Sequence, residues 1–360
     1  MSQSILMKKN LEIKRNRPLI PDSDSCEIFQ TDTLLEISIS RGRCANDAKG
    51  TCIMCDYGEA GKKRSISCYL NEMEKAIKNC DDNIKCLMLC TNGSIFDEKQ
   101  ISPQLLEAVI DIGAQCAIPH IEFETYYQDV TQEKLALIQK KLPNKQVIIA
   151  LGLETINQVY QDKIILKGIN LQKFKNTLTE IQKYNFQIEL NVMLGLPFLS
   201  TNEQFIDTCN TIKWVFENQC RPVLFPLNIK PYTLLMEMYR TGYYTPISHW
   251  LLLMVLDTLS NEQLGQIIIA WYGNRIEETE SDELKQVLPA CCEKCAPIIQ
   301  NFYHKFVSTD SGIERRKYLD AVLTSHICDC KEKVHKEIEN HNAPRFRTKY
   351  HQYIDFLNKS

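Results

Sequence analysis

The chain has 360 residues, 44% of them hydrophobic, with 42 Lys and Arg against 45 Asp and Glu. This length supports one large domain, or a barrel with an appendage, and the balanced charge excludes a broad polyanion-binding surface. The longest apolar run, WLLLMVL (250–256), is far below the ~20 residues that span a bilayer, and no signal-peptide core follows the basic N-terminus. A cytoplasmic chain with no membrane partner is therefore expected.

In chain order, residues 1–32 read as an N-terminal extension. Its basic run KKNLEIKRNR (8–17), like PRFRTKYHQY (344–353), reads as a solvated terminus. A strand is predicted at 33–40, then the loop RGRCANDAKGTCIMCDYG (41–58), then a helix at 67–80. Further strands are predicted at 84–90, 117–124, 146–154, 186–195 and 221–228, with helices near 102–114, 131–141, 170–184 and 201–218 between them. Thr131 and Ser200 are placed to cap two of these helices. Six strands each followed by a helix imply a parallel sheet with right-handed crossovers, a partial (βα)6 TIM-like barrel over 33–260. The remainder, 261–360, reads as a helical C-terminal extension, preceded by a helix at 249–259 and carrying an isolated strand candidate at 266–273.

In such folds the functional residues gather at the C-terminal ends of strands. Here Cys44, Cys52 and Cys55 follow the first strand, Asn92, Gly93 and Ser94 the second, and Glu122 and Glu124 end the third. Gly152 and Glu154 end the fourth, and LGLPF (194–198), shortly after Asn191, ends the fifth. All these residues fall on one rim.

Sixteen cysteines without a secretory signal argue for reduced thiols and metal ligation. Half of them stand singly among apolar or helical neighbours, as small hydrophobes. Cys44, Cys52 and Cys55 do not, because they form C-x7-C-x2-C. A structural zinc site normally takes four ligands in two knuckles. Three thiolates can hold a [4Fe–4S] cluster that leaves one iron open to a ligand.

This loop, with an aromatic just past the C-x2-C, resembles the radical S-adenosylmethionine (SAM) superfamily. The family's usual spacing is C-x3-C-x2-C, and wider gaps are similar to those of the elongator-type and tRNA-methylthiolation-type branches. CIMCDYG resembles the radical SAM subunit of archaeosine synthase, as do 92–110, 150–174 and 227–250 in succession. The resemblance implies that Cys44, Cys52 and Cys55 ligate a [4Fe–4S] cluster whose fourth iron chelates SAM. It places Tyr57 near the adenine and Asn92, Gly93 and Ser94 at the methionyl amine. Glu124 and Glu154 would serve SAM or substrate, Asn191 the cofactor, and Lys167 a carboxylate or phosphate. The chain departs from the family at Thr125, Tyr126 and Tyr127, where an Arg–Pro pair is typical, and at LGLPFL, where Lys–Pro–Pro is more usual. Losing that guanidinium removes a bidentate anion site.

A second set, Cys292 with Cys295 and Cys328 with Cys330, can close a four-sulfur site. Zinc, an auxiliary iron–sulfur cluster and unrelated helix-surface thiols all remain open, with His326 as a substitute ligand.

The resemblance implies reductive SAM cleavage by an enzyme fed by an external electron donor such as flavodoxin or ferredoxin. Either a 5′-deoxyadenosyl radical abstracts hydrogen, or a 3-amino-3-carboxypropyl group is transferred, as in a similar branch that makes arsenic-containing amino acids. The expected substrate is a small molecule of specialised metabolism. Nucleic acid is not favoured, and the alternative is tRNA-base modification with a partner subunit. A non-catalytic iron–sulfur or zinc protein is the third reading.

Overall fold

The computed structural model describes residues 4–17, 26–39, 44–56, 64–270, 286–325 and 328–359. Tyr57, His326 and the end of the 266–273 segment lie outside these residues. The fold is mixed α/β, with an eight-stranded sheet whose strands stand in sequence order. This is the expected partial TIM-like barrel with a helical C-terminal region, extended by two strands.

The first added strand is β1 (Cys26–Gln30), which pairs antiparallel with β2 (Leu34–Ile39). β2 then pairs parallel with β3 (Cys86–Cys90), β3 with β4 (His120–Thr125), and β4 with β5 (Gln146–Glu154). Next come β6 (Gln187–Leu194) and β7 (Arg221–Pro226). The second added strand, β8 (Ile268–Ile269), is the expected isolated candidate, and it pairs parallel with β7.

The chain packs as two compact units. The first comprises 16–152 and 167–190, and the second comprises 1–15, 153–166 and 191–360. In the first unit, α2 (Ile66–Asn79), α3 (Pro103–Gln115), α4 (Gln132–Lys141) and α6 (Leu171–Gln182) alternate with the strands. Ser65, Ser102, Thr131 and Asn170 each accept a backbone N–H two or three residues into these helices, which satisfies first-turn donors. Strand alternation divides the sheet's residues between two faces. Leu35, Ile37, Leu87, Leu89, Ile121 and Phe123 are buried aliphatic and aromatic positions, and Glu36, Cys86, Cys90, Glu122 and Glu124 take the alternate positions.

The second unit holds α1 (Ile5–Arg15), α5 (Gln158–Tyr160), α7 (Thr201–Glu217), α8 (Leu234–Arg240), α9 (His249–Asp257), α10 (Asn261–Gln266), α11 (Ala296–Val307), α12 (Gly312–Leu323), α13 (Cys330–Glu339) and α14 (Phe346–Lys359). Ser200 forms a reciprocal capping box with Glu203 at the start of α7. The two basic runs are not solvated termini. The first lies mostly within α1, where Leu6, Asn10 and Lys14 are buried and Asn10 Oδ1 accepts the Leu234 N–H at 3.1 Å. The second runs into α14, whose Phe346, Tyr350 and Tyr353 rings pack on Phe198. Aromatic and buried polar side chains interleaved with the Lys and Arg give each helix an inner face that charge counting conceals.

Candidate functional site

In the first unit the loop after β2 folds on itself before α2 begins. A one-turn 3₁₀ helix (Asp47–Lys49) ends at Gly50 with φ 76°, a left-handed conformation that suits glycine. Cys52 adopts φ 52°, which a side chain adopts at a cost, and its carbonyl accepts the Cys55 N–H at 2.9 Å. That turn sets the C-x2-C pair. Cys44 and Cys52 are buried and Cys55 is half-buried.

Three groups surround these thiols. Cys44 Sγ and the Tyr126 hydroxyl share a hydrogen bond at 3.1 Å. Lys167 Nζ stands 5.8 Å from the Tyr126 ring centroid. Thr51 Oγ1 lies 3.7 Å from Cys52 Sγ. Burial pushes the Cys52 thiol up to about 12, against the pull of the Lys167 charge, and the neighbouring Cys55 and Cys44 push the same way as burial. Tyr126 is likewise driven upward, mainly by burial, with Lys167 opposing. A thiol so raised gives up its proton readily only when a cation takes its place, which fits Cys52 to a metal better than to a free thiolate.

The loop after β3 brings Ser94 to β4. Ser94 Oγ and Thr125 Oγ1 lie 2.7 Å apart, and Ser94 Oγ accepts the Tyr126 N–H at 3.1 Å. The departing segment Thr125–Tyr126–Tyr127 is thus fastened to the Asn92–Gly93–Ser94 loop. A Cβ on Gly93 would meet Gln100 Nε2 at 2.5 Å. That amide nitrogen is buried with no hydrogen-bond partner among the described residues, an orphaned donor beside Gly93. Tyr127 is buried, its ring packs on Phe174, and its hydroxyl accepts the Asn170 N–H at 3.1 Å.

The alternate face of the same strands is acidic. Glu122 is buried, and its carboxyl sits well above the usual range through burial and the nearby Glu189 and Glu124. Cys86 Sγ points to Glu122 at 3.7 Å, and Cys90 Sγ to Glu36 at 4.0 Å. The Glu122, Glu124 and Glu189 carboxylates are thus close enough to feel one another.

Glu154 and Asn191 belong to the second unit. Glu154 is buried with φ 68°, and Gln161 Nε2 braces the turn by donating to the Leu153 and Thr155 carbonyls, each at 2.6 Å. Asn191 is half-buried in β6. That strand ends at Gly195, φ 110°, where a Cβ would meet Ile247 at 2.8 Å, and whose carbonyl accepts the Tyr244 hydroxyl at 2.8 Å.

The second cysteine set is also in this unit. The sulfurs of Cys292, Cys295, Cys328 and Cys330 all lie within 4.8 Å of one another. The sequence separates the two pairs by about thirty residues, and α11 and α12, packed on each other, return the chain between them. Tyr126 as a partner of Cys44, Gln100 beside Gly93 and Trp250 beside Cys295 were not singled out from sequence. Tyr126 had a signal, its place where the family pattern changes, whereas Gln100 and Trp250 had none.

No family model matches the chain. It is 26% identical over 231 residues to the archaeosine synthase subunit beta of Methanosarcina acetivorans, covering 63% of this chain and 66% of that protein. It is 25% identical over 167 residues to the subunit of the same name from Thermococcus kodakarensis, covering 45% and 51%. The chain thus spans less than two thirds of either relative. Among solved structures, methylornithine synthase is 15% identical, with a TM-score of 0.49, covering 73% of this chain and 69% of that one. No described helix is long and apolar enough to cross a membrane. The three-cysteine loop after β2 thus stands in a chain that is similar, over part of its length, to archaeosine synthase beta subunits.

Proposed function

We propose that Cys44, Cys52 and Cys55 hold a [4Fe–4S] cluster that binds SAM, and that the enzyme modifies a small molecule by hydrogen abstraction or 3-amino-3-carboxypropyl transfer. The observation carrying the small-molecule reading is Tyr126. Where the archaeosine-type pattern has Arg–Pro, this chain puts a half-buried phenol against Cys44 and beside Lys167. A guanidinium clamp for phosphate is thereby replaced by a bulky, water-excluding wall with one cation behind it.

A cluster with SAM supplies one-electron cleavage of a carbon–sulfur bond, driven by a donor such as flavodoxin or ferredoxin. The chain's own residues do the rest. The Tyr126 hydroxyl is placed to donate to the Cys44 thiolate and screens it from water. The Asn92–Gly93–Ser94 loop offers close backbone approach and the Gln100 amide for the methionyl end of SAM. Glu124 supplies an acceptor for its hydroxyls or ammonium. Lys167 contributes positive charge for a substrate carboxylate or phosphate. The roles proposed for Glu154 and Asn191 rest on the resemblance alone.

The names of the two relatives favour a second reading, tRNA-base modification with a partner subunit. Anaerobic reconstitution followed by dithionite and SAM tests the first. Release of 5′-deoxyadenosine or 5′-methylthioadenosine is expected, and which of the two forms selects the reaction type. An intact cluster yielding neither product overturns the assignment. Salt-sensitive binding of tRNA at low micromolar protein would shift the substrate to the second reading.

A further inference from the structure

The four clustered sulfurs of the second unit form a cysteine set distinct in sequence from Cys44, Cys52 and Cys55. The geometry points to a closed, mononuclear zinc site on Cys292, Cys295, Cys328 and Cys330, structural in role and not an auxiliary iron–sulfur cluster.

Size decides between the metals. Sulfur–sulfur distances are 3.5 Å for Cys292–Cys295, 3.5 Å for Cys292–Cys328 and 2.9 Å for Cys295–Cys328, and all four atoms lie within 4.8 Å of one another. A tetrahedral zinc with bonds of ~2.3 Å sets its four sulfurs about 3.8 Å apart. Small side-chain shifts, on the order of 1 Å, convert the observed arrangement into that tetrahedron. In a [4Fe–4S] cube each thiolate binds a different iron, and the sulfurs stand roughly 6 Å apart. Seating a cube would force nearly every pair to spread almost twofold. Disulfides are equally poor occupants, since the shortest separation is well beyond a bond of ~2.05 Å.

The backbone is built to match. Cys292 O accepts both the Cys295 and Ala296 N–H groups at 3.0 Å, the tight turn of a C-x2-C knuckle, and α11 starts directly after it. Across from it, Cys328 and Cys330 flank Asp329 at the start of α13, and the Cys330 N–H points to Cys328 Sγ at 3.4 Å. Trp250, wholly buried in α9, donates its indole N–H to Cys295 Sγ at 3.3 Å. Such N–H to sulfur contacts disperse the negative charge of a four-thiolate zinc and orient its ligands. Four protein ligands leave no position for water or substrate, so the ion staples and does not catalyse. It joins the segment before α11 to α13 and fastens both to α9. Cys291, the fifth thiol nearby, feels the charges of Cys292 and Cys328 but is not one of the mutually close four.

The test uses the full-length protein carrying Cys44→Ala, Cys52→Ala and Cys55→Ala, so that no iron at the first loop confuses the reading. Purified under reducing conditions, it should hold about one zinc per chain, no acid-labile sulfide and no visible absorbance. Exchange with cobalt(II) should give the intense sulfur-to-metal and d–d bands of a tetrahedral tetrathiolate. Adding Cys328→Ser, or separately Cys292→Ser, should take the zinc from one per chain to none. Iron with sulfide in the triple variant would overturn the proposal in favour of an auxiliary cluster, and absence of any metal would overturn it in favour of plain thiols. Because the triple variant lacks the SAM cluster, these outcomes stand apart from those that test SAM cleavage.

Discussion

The two cysteine groups differ in spacing, surroundings and closure. The loop of the first unit offers three thiols, with Tyr126 and Lys167 as their neighbours. The second unit offers four sulfurs in mutual touch, with N–H groups around them. A three-sulfur holder leaves coordination open and is framed by groups that can meet a reactant. A four-sulfur holder is complete, and its surroundings only steady it. Under the two proposals, ligand count, more than ligand type, separates chemistry from architecture.

The comparison can be broken from either side. Cys52→Ala has the largest expected effect. It should abolish the ~400 nm absorbance and SAM cleavage while leaving about one zinc at the second site, as measured by metal analysis beside a visible spectrum. Loss of both metals together would mean that the two sites are not separable. Cys295→Ser is the converse, because the residue is wholly buried. It should release the zinc and lower the melting temperature by ~5 °C or more, with the first cluster's spectrum retained per folded molecule.

Smaller effects sharpen the contrast between the neighbours. Trp250→Phe keeps most of the buried ring and removes the N–H on Cys295, so zinc affinity should fall about 10- to 100-fold in a chelator competition. Tyr126→Phe removes the hydroxyl partner of Cys44. The reduction potential should fall by roughly 30–60 mV, about three- to tenfold in the one-electron equilibrium. A redox titration followed by electron paramagnetic resonance reads this, and an unchanged potential would show that the phenol only fills space.

Much of the barrel was legible because its signals are local. The strands at 84–90, 146–154 and 221–228 are short apolar runs, and Thr131 and Ser200 cap helices because a hydroxyl three residues ahead of a backbone N–H is a local arrangement. β1 escaped notice because CEIFQ is short and two of its five side chains are charged or amide-bearing and exposed. α1 and α14 were concealed by their Lys and Arg, although Asn10, Lys14 and Tyr353 turn in. At the first cysteine loop the spacing marked three candidate thiols, but the left-handed backbone of Cys52 is invisible without coordinates, since nothing about a cysteine announces φ 52°. At the second, the residue types were plain and their meeting was not, because it depends on α11 and α12 turning the chain back on itself.

The position of α1 also bears on synthesis. It belongs to a unit whose other residues begin at 153, and the N–H that Asn10 accepts is that of Leu234, 224 positions later. At ~5–20 residues per second, the ribosome delivers that partner on the order of ten to forty seconds after Asn10. For that interval the first helix has only part of its unit to pack on, while most of the residues of the first unit have already emerged. The cysteine loop can thus begin to fold before the N-terminus finds its place, and a nascent chain stalled before Leu234 would still expose the apolar side of α1 to chaperones.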